Sequence, residues 1–206
     1  MAVKIAAIYA SPRRKGNTAA LLSMAVKGAQ DAGAVVDSIV LRDYKISPCL
    51  EIYGCRKEGE CAIKDDFQAV RDRLLAADGI IIATPIFFYT VSAHLKAFMD
   101  RCQSLWVKKY WIGTGNDDMG EPSRKAFVIA VGATRGKKLF DGMLLSMKYF
   151  LDVLDARIDE RLLYRGLDFE GDVLKFPEYV DEAYLRGAAF ARSVSQCREV
   201  ENHPGE

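Results

Sequence analysis

Residues 11–18 have the sequence Ser-Pro-Arg-Arg-Lys-Gly-Asn-Thr, and this stretch, called the basic loop below, decides how the chain is interpreted. It follows an apolar run at residues 3–9 and precedes a segment, residues 18–32, with apolar residues at helical spacing. A strand, a short loop and a helix start bring unpaired backbone N–H groups to the positive end of a helix dipole. That combination is typical of a phosphate-binding site, although an ordinary βα turn that binds nothing has the same local pattern.

The side chains of the basic loop strengthen the phosphate interpretation. Ser11 and Thr18 carry hydroxyl donors, and the planar guanidinium of Arg13 can contact two phosphate oxygens at once. Asn17 is a suitable residue for the helix N-cap. We therefore expect contacts to a phosphate-bearing ligand from the following residues: Ser11, Arg13, Gly16, Asn17 and Thr18.

Composition limits the classes of protein that remain. The chain has 206 residues, half of them hydrophobic, which favours one domain over residues 1–198 followed by a polar tail at residues 199–206. With 29 basic and 28 acidic residues the net charge is +1, so there is no electrostatic signature of nucleic-acid or anionic-membrane binding. No signal-peptide pattern and no membrane-spanning apolar stretch is found, which predicts a cytoplasmic protein. An odd number of cysteines, five, favours reduced thiols or metal ligands over a disulfide framework.

Strand and helix patterns alternate along the chain. Strands are predicted at residues 3–9, 35–41, 79–84, 125–131 and 157–164. Helices are predicted at residues 18–32, 65–75, 92–102, 139–154 and 177–194. The alternation predicts an α/β fold, a doubly wound five-stranded parallel sheet with helices on both faces. Ligands of such sheets bind at the carboxyl ends of the strands, so we expect a site built from residues 11–18, 85–90 and 132–136.

The loop after the third strand identifies the ligand class. It contains Pro85, Ile86, Phe87, Phe88 and Tyr89, and three consecutive aromatic residues are costly to expose on a connection. Flat apolar surface and backbone donors opposite a phosphate site suit a planar heteroaromatic ring on a phosphorylated chain, such as FMN. The alternative is that these rings pack beneath the following helix or in a dimer interface.

Other phosphate-binding motifs do not fit the sequence. A Walker A loop requires a leading glycine and a Gly-Lys-Ser/Thr end, which neither the basic loop nor residues 132–138 provide. The Gly-x-Gly-x-x-Gly dinucleotide fingerprint fails at Gly113 and Gly115, and no cysteine is followed by arginine at phosphatase spacing. Nucleotide hydrolysis and cysteine-dependent phosphatase chemistry are therefore not supported.

These motifs resemble the NAD(P)H-dependent FMN reductase family of flavodoxin-like proteins. The resemblance covers the first half of the chain. It lies in Ser11-Pro-Arg-x-x-Gly-Asn-Thr18, in Thr84-Pro-Ile-Phe-Phe-Tyr-Thr-Val-Ser92 continuing to Lys96-Ala-Phe-x-Asp-Arg101, and in Cys55-x5-Cys61-x3-Asp65-Asp66. It implies a flavodoxin-like fold, with the phosphate of FMN on the basic loop and the isoalloxazine ring on residues 85–89. From the loop after the fourth strand we include Ala133 and Thr134 among the residues that bind the cofactor.

The resemblance also implies an activity. Members of the family pass hydride from NADH or NADPH through FMN to a quinone, a free flavin or a similar small acceptor, and they assemble as homodimers or homotetramers. Hydride transfer to a flavin needs no general base, so no catalytic side chain is predicted. A one-electron carrier and a non-catalytic phosphate-binding module remain alternatives. The segment from Leu105 to Arg124, with Trp106 and Trp111, is a candidate cover for the open ring face in this or a neighbouring subunit. The natural acceptor, the choice between NADH and NADPH, and whether FMN is resident or a substrate stay open.

One branch of the family, the iron–sulfur flavoproteins, has a Cys-x2-Cys-x2-Cys-x5-Cys motif before the paired acids. Cys49, Cys55 and Cys61 occupy the first, third and fourth positions here, but Ile52 occupies the second. A cubane cluster normally requires four thiolates, which isoleucine cannot provide. We expect reduced thiols and no metal ligands, and the sequence alone leaves open whether the three cysteines bind a metal.

Overall fold

The architecture is a five-stranded sheet between two layers of helices. A computed structural model describes residues 2–113 and 122–202. The strands are β1 Lys4–Tyr9, β2 Val35–Val40, β3 Gly79–Pro85, β4 Arg124–Gly132 and β5 Ala156–Arg165. All neighbouring strands pair in parallel, in the order β2-β1-β3-β4-β5. The predicted α/β doubly wound sheet is confirmed. The chain winds from β1 to one edge and then returns to β3 on the other side of β1, which places a ligand crevice beyond the carboxyl ends of β1 and β3.

Helices cover both faces of this sheet. They are α1 Asn17–Asp31, α2 Cys55–Glu58, α3 Phe67–Leu75, α4 Ala93–Arg101, α5 Gln103–Val107, α6 Asp141–Asp152 and α7 Pro177–Asn202. One apolar core packs α3, α4 and α6 against the sheet, and the other packs α1 and α7 against its opposite face. Because β3 lies between two covered faces, six of its seven residues are buried, whereas the edge strand β2 alternates with exposed positions.

The start of α1 differs from the sequence prediction. Gly16, in an extended conformation, is the N-cap residue, and no side chain caps the helix. Asn17 lies inside the first turn, and its amide group is used for a contact with the chain after β5, 156 positions away. In contrast, Ser92 caps α4 as predicted and accepts a hydrogen bond from the N–H of Leu95.

The long segment after α4 is largely helical where it is described. Helix α5 continues into a π-helical turn at Lys108–Ile112, and the rings of Trp106 and Trp111 lie 5.3 Å apart, edge to face. Residues 114–121 of the predicted cover lie outside the described residues. Helix α7 extends to Asn202 and so includes the first four residues of the predicted tail, while residues 203–206 also lie outside the described part. None of the described helices has the length and apolar character that crossing a membrane would require.

Candidate functional site

The three loops predicted to form the site do meet, at the carboxyl ends of β1, β3 and β4. They enclose a cleft of about 180 Å³. The predicted residues that line it are Ser11, Arg13, Gly16, Asn17, Thr18, Pro85, Ile86, Phe87 and Ala133. Phe88, Tyr89 and Thr134 lie on the same loops but do not line the cleft itself. A fourth segment, with Leu167 and Asp168 after β5, completes the wall. The sequence did not indicate this segment because it contains no recognisable motif. The available signal was its position after a fifth parallel strand, since the carboxyl ends of parallel strands lie at one edge of a sheet.

The basic loop presents several free donors to the cleft. Ser11 and Thr18 are almost fully buried. The N–H of Arg13 donates to Ser11 Oγ at 3.0 Å, which leaves the hydroxyl hydrogen of Ser11 available to a ligand. Among the described residues, no acceptor pairs with the backbone N–H groups of Asn17 and Thr18 at the start of α1. These groups lie at the positive end of a 15-residue helix, so the loop is suited to an anion.

Two neighbouring arginines in this loop have different surroundings. Arg14 forms a bidentate pair with Asp43, with N–O distances of 3.0 and 2.5 Å. Arg13 donates to the carbonyl oxygen of Asp168 at 3.1 Å, and no carboxylate of the described residues pairs with it. The charge of Arg13 therefore remains available to a ligand in the cleft, whereas the charge of Arg14 is balanced within the protein.

Asn17 fixes the fourth wall of the cleft. Its Oδ1 accepts from the N–H of Val173 at 3.1 Å, and its Nδ2 donates to the carbonyl oxygen of Phe169 at 2.9 Å. Both acceptor and donor of the amide group are thus engaged with the segment after β5. The structure gives Asn17 a positioning role, which a direct contact through its second Nδ2 hydrogen would supplement.

The loop after β3 is fixed by buried hydroxyl groups. Thr84 and Ser92 are fully buried at its two ends, and the N–H of Ser92 donates to Thr84 Oγ1 at 3.2 Å. Ser92 Oγ in turn donates to the carbonyl oxygen of Ala10 at 2.6 Å. Because Ala10 immediately precedes the basic loop, this pair of contacts sets the distance between the two walls of the cleft.

A tight turn presents the aromatic residues. Phe87 and Thr90 exchange two backbone hydrogen bonds of 3.0 Å, and the two residues between them have positive φ angles, 48° at Phe88 and 62° at Tyr89. This is a two-residue type I′ turn, called the aromatic turn below, a geometry that normally favours glycine or asparagine. Bulky residues held in this conformation occur preferentially at functional sites. The rings do not pack beneath α4, since Phe88 is 100% exposed and its two neighbours are about half exposed.

Tyr89 connects the aromatic turn to the opposite wall. A Cβ atom at Gly142, near the start of α6, would lie 2.8 Å from the carbonyl oxygen of Tyr89, so only glycine permits this approach. The Tyr89 hydroxyl lies near Gly136 in the loop after β4. In that loop, Ala133 and Thr134 are both exposed. The aromatic turn is therefore held against the segment from β4 to α6, beside the cleft.

Two other cavities are less suited to a phosphorylated ring. One of about 290 Å³ shares Ser11, Arg13 and Thr18 with the cleft but lies on the side of α1 and β2, away from the aromatic turn. A groove of about 820 Å³ lies between α4, α5 and α6 and is lined in part by Trp106 and Trp111. None of the residues predicted for the site lies in that groove, and neither tryptophan is among the residues that line the cleft.

The cysteine segment does not provide the ligands of an iron–sulfur cluster. Cys49 is exposed, Cys55 and Cys61 are partly exposed, and the hydrocarbon side chain of Ile52, which is also exposed, contains no atom that could bind iron. Within residues 2–113 and 122–202, no three histidine, cysteine or acidic side chains are grouped so that they could hold a metal ion. The residues present therefore do not fit the cluster.

Instead, a buried arginine organises this segment. Arg101 is 1% exposed, pairs with Asp65 at 2.8 and 3.2 Å, and donates from Nε to Cys61 Sγ at 3.1 Å. Burial raises the pKa of Asp65, but hydrogen bonds from Arg101 and from two backbone N–H groups outweigh burial and leave that pKa below its ordinary value. Cys102 follows Arg101 at the end of α4, and burial strongly raises the pKa of its thiol, as expected for a packing residue.

Comparison with known proteins places these features in a family context. A model of the NADPH-dependent FMN reductase family matches residues 3–154. YwqN of Bacillus subtilis, named as an NAD(P)H-dependent FMN-containing oxidoreductase, is 30% identical over 173 residues, 84% of each chain. An iron–sulfur flavoprotein of Methanocaldococcus jannaschii is 38% identical over 105 residues, 51% of this chain and 54% of that protein. Another from Archaeoglobus fulgidus is 39% identical over 131 residues, 64% and 63% of the two chains. This chain thus matches less than two thirds of the length of either iron–sulfur flavoprotein.

Solved structures show the same fold. An NAD(P)H:quinone oxidoreductase from Methanothermobacter marburgensis superimposes with a TM-score of 0.68 at 18% identity, covering 94% of this chain and 96% of the other. A flavodoxin, WrbA-like protein from Agrobacterium tumefaciens gives a TM-score of 0.58 at 15% identity, covering 95% and 99%. At these identities the likeness concerns the fold alone, and the flavodoxin-like architecture is confirmed.

Proposed function

The chain belongs to the NADPH-dependent FMN reductase family, and on this premise we propose that it passes hydride from NAD(P)H through bound FMN to a quinone, a flavin or a similar small acceptor. Membership supports the coarser part of this proposal, an FMN-dependent oxidoreductase with NAD(P)H as electron donor. The observation that supports the finer proposal is the cleft in which the free donors of the basic loop face an aromatic turn. A phosphate and a flat ring joined by a short chain match these two walls.

The chain's own residues bind and orient the cofactor. Ser11, Thr18 and the N–H groups at the start of α1 hold the phosphate, and Arg13 supplies the positive charge that two phosphate oxygens require. The ring lies against Pro85, Ile86, Phe87 and Ala133, which line the cleft, and extends along the rest of the two loops beside it, with Phe88, Tyr89 and Thr134. Bound FMN supplies the hydride chemistry, and the protein contributes position, stacking and hydrogen bonds.

We also propose the following organisation of the protein. Residues 1–198 form one FMN-binding domain, because both apolar cores pack on the same sheet. The chain forms a homodimer or homotetramer, since a fully exposed phenylalanine, Phe88, at the tip of a turn suits a subunit contact. The acceptor is a small molecule.

One experiment tests the proposed function. The visible spectrum of the purified chain, with FMN added if necessary, is recorded without oxygen before and after addition of NADPH or NADH. We expect the flavin absorbance to be lost and then restored by a quinone. Bound flavin that neither nucleotide reduces would refute the proposal, and a semiquinone that accumulates without nucleotide oxidation would favour a one-electron carrier. A colourless protein that takes up no FMN would favour a non-catalytic module.

A further inference from the structure

The loop after β4 carries exposed cations that the proposed FMN site does not use. Residues 133–138, called the rim loop below, begin with Ala133 in the wall of the cleft and include Arg135, Lys137 and Lys138. All three cationic residues are exposed, and none forms an ion pair with a carboxylate of the described residues. Since the net charge of the whole chain is only +1, unpaired positive charge at one rim of the cleft is a distinct feature.

Arg135 has a defined position on this rim. A Cβ atom at position 166 would lie 2.7 Å from Nη2, 2.9 Å from Cζ and 3.1 Å from Nε of Arg135. The guanidinium therefore packs against the bare Cα of Gly166, a residue with φ of +76° that strongly favours glycine. The N–H of Gly166 donates to the carbonyl oxygen of Gly132 at 2.8 Å, which joins this contact point to the end of β4.

The rim loop itself is held in place. Arg165 donates to the carbonyl oxygens of Gly136 and Lys137, each at 3.2 Å, and its guanidinium packs over the ring of Phe140. The cation of Arg165 thus fixes the backbone, while the guanidinium of Arg135 makes no hydrogen bond to any described residue. Asp168 is the acidic residue among those that line the cleft. Its backbone carbonyl oxygen accepts a hydrogen bond from Arg13.

We propose that Arg135 binds the 2′-phosphate of NADPH and so makes the protein prefer NADPH to NADH. This inference rests on the proposed function. FMN has one phosphate, which the basic loop and Arg13 accommodate, so the unpaired guanidinium of Arg135 is available to a second anion. NADPH and NADH differ only in the 2′-phosphate, and the planar fork of arginine matches phosphate oxygens in pairs. In this proposal Lys137 and Lys138 bind the pyrophosphate, which both nucleotides carry.

The test compares Arg135→Leu with Arg192→Leu in the FMN-loaded full chain. Arg192 lies exposed on α7, so the control removes the same charge away from the rim. We expect Arg135→Leu to raise KM for NADPH about 10- to 100-fold, as loss of a charge-assisted contact predicts, and to change KM for NADH by less than about threefold. Arg135→Lys, which keeps the charge but not the fork, is expected to give an intermediate value. Equal changes for the two nucleotides would overturn the inference.

A binding measurement separates this inference from the proposed function. By isothermal titration, 2′-AMP is expected to bind the unmodified protein about tenfold or more tightly than 5′-AMP, and Arg135→Leu is expected to abolish the difference. Equal affinity for the two nucleotides in the unmodified protein would overturn the assignment of Arg135. If neither NADPH nor NADH reduces the flavin, the proposed function fails, while this titration still decides whether Arg135 recognises a 2′-phosphate.

Discussion

The hydroxyl group of Ser92 donates a 2.6 Å hydrogen bond to the carbonyl oxygen of Ala10, 82 positions earlier in the chain. The same oxygen of Ser92 accepts from the N–H of Leu95 at 3.3 Å and so caps α4. One buried side chain therefore starts a helix and joins the loop after β3 to the basic loop. The relative position of the two walls of the cleft depends on this residue.

Replacement of Ser92 by alanine is expected to lower the free energy of unfolding by about 1–3 kcal/mol, because it removes a helix cap and leaves a buried carbonyl oxygen unpaired. Urea denaturation measures this difference. FMN is expected to bind more weakly as well, since the two walls lose a common support. Ser146→Ala is the matched control, because Ser146 is partly exposed and its hydroxyl donates only within its own helix. Equal stability of the two variants would contradict the role assigned to Ser92.

Replacement of Arg13 by alanine is expected to raise the Kd for FMN about 10- to 100-fold, because a charge-assisted contact to phosphate is lost. Affinity for riboflavin, which has no phosphate, is expected to stay the same. Fluorescence titration of each flavin measures both values. Arg14→Ala is the control next in sequence, since Asp43 already balances the charge of Arg14. A similar loss of FMN affinity in the two variants would show that Arg13 has no specific role.

Much of the fold and part of the site follow from local sequence patterns. The five strands were predictable because apolar runs such as that of β3 are short, continuous and bounded by turns. The parallel arrangement then placed the loops after β1, β3 and β4 together without further information. Ser92 was recognisable as a cap because capping depends on a few neighbouring residues.

The remaining features depend on contacts between distant residues or on unfavourable local geometry. Asparagine is common at helix N-caps, but the amide group of Asn17 forms hydrogen bonds with the backbone of Phe169 and Val173, which no local rule can indicate. The positive φ angles of Phe88 and Tyr89 oppose the preferences of bulky residues, so a type I′ turn was not expected there. The wall after β5 was also not predicted, because Asn17 at the start of α1 holds it in place through contacts between residues far apart in the sequence.

The chain is expected to contain no iron–sulfur cluster, because Ile52 replaces one of four thiolates and Cys61 Sγ accepts a hydrogen bond from Arg101. Iron and acid-labile sulfide are measured after anaerobic purification, beside an iron–sulfur flavoprotein from Archaeoglobus fulgidus as the positive control. Only flavin bands are expected in the visible spectrum of this chain. Stoichiometric iron with an equal amount of sulfide would mean that three cysteines suffice, and the one-electron alternative would then regain support.

Replacement of Asp65 by asparagine is expected to destabilise the protein by about 3–5 kcal/mol at neutral pH, because it leaves the buried guanidinium of Arg101 without its counter-charge. Asp37→Asn is the matched control. Asp37 also forms a bidentate pair, with Arg73, but both side chains are partly exposed, so a loss of about 0–1 kcal/mol is expected. Urea denaturation near neutral pH separates the two cases, and equal losses would contradict the importance of the buried pair.

The pH dependence of stability tests the same pair by a different route. The pKa of Asp65 in the folded protein lies below its ordinary value of 3.8, so the carboxyl group of Asp65 loses its proton more readily in the folded than in the unfolded chain. The resulting stability is fully present above the unfolded-state pKa and is lost as the pH falls through the folded-state pKa. Below about pH 4 the free energy of unfolding should therefore fall more steeply in the unmodified protein than in Asp65→Asn. Parallel pH profiles for the two proteins would show that Arg101 does not stabilise the charged form of Asp65.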